Sequence, residues 1–346
     1  MTVQGFDLDN TLSPSFLSSL YVRTGPRRWV KIAGHLGGQL EFRQVGPNVL
    51  EVRSEAGLTR RALERRVRLE TGLWRGPYEG MIRDLPSSAQ PQVEALARAY
   101  SGVRLPIAPL DFPYIFVTVV LSKRADYHRF VLGWCRKIWE EFDGSLYSIA
   151  ESSLERLRGI GSSYQVLQLR RTVKSFLELS EHVDRLPERV LEMLGVPDVP
   201  PEEFILWLTP ELARLTLIKG CWGIGPKVAD SIVMSTFKAS HLIPCDAHLH
   251  TVLKRLGLVD EGTKMPVKAL CSRYVCDRKA SSRLRMALCP RARDRTCVRG
   301  RLSYLRKLGG WLQTLTYMHG REYCRAIGPR CGACPISGVC PTGSEA

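Results

Sequence analysis

The stretch Leu217-Ile218-Lys219-Gly220-Cys221-Trp222-Gly223-Ile224-Gly225-Pro226-Lys227-Val228-Ala229-Asp230 leaves its backbone few choices. An apolar helical run ends near Gly220, Gly223 and Gly225 frame a tight turn, and Pro226 stands at the first turn of a new helix, where its missing N–H costs nothing. The spacing predicts a helix-hairpin-helix over about residues 209–235. Two glycines let an anion approach the main chain, and the free N–H groups of the starting helix point towards it. The hairpin therefore reads as a phosphate clamp; a helix corner capped by glycine is the other reading of the same residues.

Charge narrows the choice. The 346 residues carry a net charge of +16, and fourteen Lys or Arg against Asp277 and Asp294 place +12 of it between Lys264 and Lys307. A basic surface concentrated in this way suits nucleic-acid phosphates, because each cation placed there releases condensed counterions. A solvated basic loop or a patch for anionic membrane would share the composition. With 44% hydrophobic and 24% charged residues the chain has the makeup of a globular protein of two or three domains. Its longest apolar run, Phe112 to Leu121, stops at Ser122 and Lys123, short of the ~20 residues of a membrane span. With Asp7 and Asp9 near the start and no basic-then-apolar leader, the expected location is intracellular, in cytoplasm, nucleoid or nucleus.

The pattern changes along the chain. Leu40 and Phe42 alternate, Gly46-Pro47-Asn48 signals a turn and Val49 to Val52 resumes a short apolar run, so the first part reads as β-rich with a hairpin. Beyond about Pro86 the period is helical: Val166, Leu169, Val173, Phe176 and Leu177 share a face, and Leu206, Leu208, Leu212 and Leu215 form a stripe after the break at Pro197, Pro200 and Pro201. The fold class is mainly α with an N-terminal antiparallel β-rich domain.

Lys227, in the first turn after the hairpin, is followed nineteen residues later by Asp246 within Ile243-Pro244-Cys245-Asp246-Ala247-His248. With these residues the chain resembles the helix-hairpin-helix DNA glycosylase superfamily, whose bifunctional members carry a Lys just after the hairpin and an Asp in a Pro-x-Asp-x-His context. The segment is most similar to 8-oxoguanine DNA glycosylases, and Leu157-Arg158-Gly159-Ile160-Gly161 leading into Tyr164 also resembles a family segment. The resemblance implies two helical subdomains flanking a DNA cleft and a monomer acting on double-stranded DNA that contains a damaged base or abasic site. The chain is read as four blocks: a β-rich domain over 1–85, a helical glycosylase domain over 86–262, a basic cysteine-containing insertion over 263–300 that has no recognised counterpart in the family, and a C-terminal helix with a cysteine loop over 301–346.

The implied chemistry suits the two residues. A lysine amine is a nucleophile only when deprotonated, and both a helix N-terminus and burial disfavour its ammonium form. Lys227 would attack the sugar C1′ and Asp246 would stabilise the developing oxocarbenium charge. The bland reading makes Lys227 a phosphate contact and Asp246 a helix cap. The resemblance assigns DNA contact to Gly223, Gly225 and His248. The wedge that fills the gap left by a flipped base falls at Val119 to Asp126, where this chain offers Lys123 and Arg124 in place of the family's Asn or Gln. Gln313 and Tyr317 fall where relatives hold the everted base, whereas core packing is expected for Trp311. Trp222 stands where the family usually has Pro, and the sequence supplies no account of it beyond packing.

Eleven cysteines in a chain expected inside the cell argue for metal or redox chemistry over disulfides. Cys324, Cys331, Cys334 and Cys340, spaced C-x6-C-x2-C-x5-C, form a sulfur cage suited to zinc or an iron–sulfur cluster. His319-Gly320-Arg321 and Pro329-Arg330-Cys331-Gly332-Ala333-Cys334 resemble the [4Fe-4S] loop of endonuclease III, implying a structural cluster that presses Arg325 and Arg330 towards DNA backbone. A second group, Cys271, Cys276, Cys289 and Cys297, lies in the basic segment with a final gap long for a zinc finger.

The expected function is that of a bifunctional DNA glycosylase with abasic-site lyase activity in base excision repair, with an oxidised purine favoured as substrate. The alternatives are a monofunctional glycosylase for uracil or alkylated bases and a non-catalytic Fe–S DNA-binding protein. Phe6-Asp7-Leu8-Asp9-Asn10-Thr11-Leu12 matches a phosphatase motif of the haloacid-dehalogenase type, but no downstream Gly-Asp or Asp-Asp pair completes a metal site. A polar loop or first strand is expected there instead.

Overall fold

The computed structural model describes residues 1–180 and 201–344, so the break at Pro197 and Pro200 lies outside the described residues. The chain is mainly helical with one antiparallel sheet of order β1-β2-β3-β4: β1 Tyr21–Gly25, β2 Arg28–Lys31, β3 Leu40–Gly46 and β4 Val49–Ser54. Register follows the expected alternation. Trp29 pairs with Phe42 and Phe42 with Val52, so that Leu40, Phe42 and Leu50 turn inwards. Gln44 shares that inner face, and its amide accepts from the Leu8 N–H and donates to the Phe6 carbonyl, each at 2.8 Å, tying the N-terminal segment to the sheet.

Lys31 falls on the inner face two residues after Trp29, in a place the pattern would give to an apolar side chain. Its Nζ lies 3.0 Å from both Glu70 oxygens and 2.7 Å from Asp111, while Arg66 bridges the same two carboxylates and the Tyr21 hydroxyl donates to Glu70. Two cations thus meet two anions between the sheet, helix Arg60–Glu70 and the entry to helix Phe112–Leu121.

The phosphatase-like motif is not a strand. Asp7 caps the short helix Leu8–Leu12 through the Asn10 N–H, and Asp9 accepts from Arg23 Nη2 at 2.6 Å and Trp29 Nε1 at 2.7 Å. Both carboxylates serve local structure.

Two hydrophobic cores cut across the sequence blocks. The first joins the sheet to helices Phe112–Leu121, Leu132–Phe142, Leu169–Ser180, Pro210–Gly220 and Pro226–Thr236. The second joins residues 78–105 to helices Ala247–Arg255 and Gly309–Glu322. The chain passes from one core to the other between Leu242 and Ile243, inside the stretch that separates Lys227 from Asp246. Trp311 is fully buried, stacks on Tyr78 and donates to the Val103 carbonyl. The stripe around Leu212 differs from the expectation. Residues Pro201–Trp207 form a 3-10 turn and the α-helix begins at Pro210, so Leu206, Leu208 and Leu212 stay partly exposed; Leu215 is buried as expected, together with Ile205, Ala213, Leu217 and Ile218. Among the described residues no helix is long and apolar enough to cross a membrane.

Candidate active site

Between the two cores lies a cavity of about 1220 Å³ whose lining includes Phe16, Ser122 and Lys227 from one side and Asp246, Gln313 and Tyr317 from the other. The hairpin forms its floor as the glycine spacing requires. Gly223 has φ +71°, a conformation open to glycine, and a Cβ there would stand 3.2 Å from Lys123 Nζ. Gly225 precedes helix Pro226–Thr236 without a side-chain cap, and the space around its Cα is open. Backbone N–H groups at this helix start are thus free for an anion.

Lys227 donates to Ser122 Oγ at 3.2 Å, and its ammonium lies 5.3 Å from the centre of the Phe16 ring. Ser122 is oriented to accept, because its own hydroxyl proton goes to the Val119 carbonyl at 2.7 Å. Burial pulls the Lys227 pKa below the ordinary lysine value, and the nearby Asp246 offsets part of that fall. Asp246 is a helix cap and a cleft residue at once. Its Oδ1 accepts from the Leu249 N–H at 2.7 Å and its Oδ2 from Gln313 Nε2 at 2.9 Å. Gln313 is buried and engaged with Asp246, which fixes both carboxylate oxygens.

The other expected residues divide. Tyr317 meets the His248 ring edge-on at 5.4 Å, with the Arg321 guanidinium 5.6 Å from the centre of the Tyr317 ring and burial raising the Tyr317 pKa to about 12. His248 packs where a Cβ on Gly320 would come within 2.7 Å of its Nδ1, so glycine at 320 admits the imidazole. Lys123 and Arg124 form the turn after helix Phe112–Leu121; Arg124 is exposed with φ +52°, and the Lys123 carbonyl is held by Gln165 Nε2 at 2.8 Å. Trp222 gains a role absent from the sequence reading. Its ring lies 4.2 Å from the Arg171 guanidinium and 6.0 Å from Lys123 Nζ, seating two cations beside the hairpin. Arg325 lines the cleft and its carbonyl accepts from Arg255 at 2.7 Å, whereas Arg330 lines the separate cysteine pocket.

That pocket gathers Cys324, Cys331, Cys334 and Cys340 beside Val252 and Ile336. Arg255 Nη1 donates to Cys324 Sγ at 3.3 Å, and burial raises the Cys334 pKa, with the Ile336 N–H offsetting part of that rise. Among the described residues no three His, Cys, Asp or Glu side chains are closed around one point at metal-binding distance. Ser122 and Phe16 were the functional neighbours missed; no local signal links either to Lys227.

No family model matches the chain. Its fold is similar to that of a Clostridium acetobutylicum 8-oxoguanine glycosylase/lyase in complex with double-stranded DNA containing cytosine opposite 8-oxoG, at TM-score 0.61 and 15% identity over 92% of this chain and 93% of that one. It is also similar to a 3-methyladenine DNA-glycosylase from Archaeoglobus fulgidus, at TM-score 0.56 and 13% identity over 95% and 99% of the two chains. At these identities the likeness establishes the fold alone.

Proposed function

We propose that this chain is a bifunctional DNA glycosylase and abasic-site lyase that excises an oxidised, 8-oxoguanine-like base from double-stranded DNA. The observation that carries the reading is Lys227: an amine with a depressed pKa, hydrogen-bonded to a hydroxyl and facing Asp246 across a cleft floored by an open helix start. The nucleotide would be everted into the cleft, since the glycosidic bond is out of reach inside a duplex. Lys227 Nζ then bonds to C1′ as the base leaves with the glycosidic electron pair and takes up a proton. Asp246, held by Leu249 and Gln313, opposes the positive charge that builds on the sugar. The adduct nitrogen then gives up a proton, and its lone pair forms the C1′=N iminium as O4′ leaves with the C1′–O4′ electron pair and takes up a proton, opening the sugar ring. Removal of a C2′ proton then expels the 3′ phosphate and completes β-elimination. Lys123, Arg124, Arg171 and Arg325 would neutralise phosphates along the cleft.

Cys324, Cys331, Cys334 and Cys340 would hold a [4Fe-4S] cluster. Four thiols lining one pocket, with a guanidinium donating to one sulfur and a backbone N–H to another, fit an anionic thiolate set. The cluster would supply cross-linking of the C-terminal loop, as the reaction is redox-neutral.

The test is a borohydride trap with duplexes containing 8-oxoguanine, thymine glycol, uracil or an abasic site. The expected outcome is a covalent adduct, strongest with 8-oxoguanine among the base lesions and absent in Lys227→Gln. Base release without any adduct would replace this reading by a monofunctional glycosylase; binding without base release would leave a DNA-binding module.

A further inference from the structure

Behind the lysine helix lies a charge imbalance. Asp230, one turn after Lys227, is fully buried, and its Oδ1 accepts from Arg214 Nε at 2.6 Å and Arg299 Nη1 at 2.5 Å. A guanidinium does not give up its proton in a protein, so a buried cation, Arg214, and a nearly buried one, Arg299, whose side chain is 12% exposed, share one carboxylate. A buried charge without a counter-charge is costly. Besides Asp230, Arg214 has the side chains of Cys271 and Cys276 within electrostatic reach, and Arg299 has those of Cys276 and Cys245.

Cys271 and Cys276 belong, with Cys289 and Cys297, to a quartet that the basic segment folds together. An isolated bridge pairs Val275 with Leu288 and the Cys289 N–H donates to the Val275 carbonyl at 2.8 Å, setting Cys276 beside Cys289. A second bridge, Lys264 to Cys297, closes the segment on itself. Cys271, Cys289 and Cys297 are 5%, 6% and 7% exposed. Cys297 lies in reach of both Cys276 and Cys289.

We propose that Cys271, Cys276, Cys289 and Cys297 bind one zinc ion as four thiolates, fastening the basic segment to the back of the lysine helix. The metal displaces four thiol protons, and the dianionic site provides the counter-charge that Arg214 and Arg299 lack. Four neutral thiols or two disulfides would leave the surplus cation buried. Like the first quartet, this one is gathered without being closed around a point.

The test measures zinc and iron per chain by inductively coupled plasma mass spectrometry on full-length protein, with Cys289→Ser and Cys331→Ser as variants. Wild type should carry about one zinc, lost in Cys289→Ser with iron unchanged; Cys331→Ser should keep its zinc. Native alkylation of wild type, read by peptide mass spectrometry, gives an answer even where a variant fails to fold: the four thiols should be protected until a strong chelator is added. Zinc-free wild type after zinc loading and gel filtration, recovery of the four cysteines as disulfides, or loss of iron in place of zinc in Cys289→Ser would each overturn the assignment.

Discussion

Lys31 and Lys227 each turn away from bulk water, one into the inner face of the sheet and the other into the cleft wall, and their partners differ in kind. Lys31 reaches two carboxylates, Glu70 and Asp111, and Arg66 shares both, so that the buried charges cancel among themselves. Lys227 reaches a hydroxyl and the face of an aromatic ring, with Asp246 acting on it electrostatically across the cleft. Burial alone therefore does not make a reactive amine. A lysine in contact with carboxylates has its charge balanced within the network, whereas one given a neutral acceptor and a carboxylate at longer range is brought closer to its free-base form.

The contrast can be broken most severely at Lys31. Lys31→Met would leave Glu70 and Asp111 with Arg66 as their one remaining cation, and removing one partner from a buried charge network costs about 3–5 kcal/mol. Urea denaturation should show that loss as a lower midpoint. Borohydride trapping per folded molecule should stay unchanged. A midpoint shift worth less than about 1 kcal/mol would mean that the network is dispensable and that the two lysines differ less than their partners suggest.

What could be read in advance follows from how local each feature is. The hairpin, Lys227 and Asp246 lie within thirty residues and obey backbone rules that Gly, Pro and a capping Asp state in sequence. The hairpin of β3 and β4 likewise follows from alternation around Pro47-Asn48. Partners chosen by the fold are of another kind. Ser122 stands 105 residues from Lys227, and Asp111 stands 80 from Lys31; nothing local marks either pair. Lys31 breaks the apolar alternation of its strand, so a sequence pattern flags it as odd but cannot name what neutralises it. Gln313 was placed near the site by resemblance, yet its hydrogen bond to Asp246 depends on the two cores meeting at the cleft.

A smaller effect is expected at Asp246. Asp246→Asn should slow adduct formation by about 10²- to 10³-fold, as loss of a preorganised group facing transition-state charge does. The pH profile adds a direction. Asp246 holds the Lys227 pKa higher than burial alone would, so its neutralisation lowers that pKa further and extends the free amine to lower pH. Trapping on an abasic duplex, followed against pH, should show its acidic limb displaced towards acid in the variant. Displacement towards alkali would sever the electrostatic link and leave Asp246 as a helix cap alone.

Lys123 sharpens the comparison from a third side. Burial lowers its pKa as well, but its neighbour is the Trp222 ring, which also seats Arg171. The aromatic face orients the two cations without neutralising either, leaving both charges for phosphate. Trp222→Ala should therefore weaken binding to undamaged duplex by about 2- to 5-fold, the loss of a partly exposed cation–π contact of roughly 0.5–1 kcal/mol. The slope of log affinity against log salt should not change, since the number of phosphate-neutralising cations is the same. Lys123→Ala should instead reduce that slope by about one. If Trp222→Ala flattens the slope as well, the ring does more than orient: without it the cations leave the phosphates, and the cleft's charge is organised by the hairpin tryptophan.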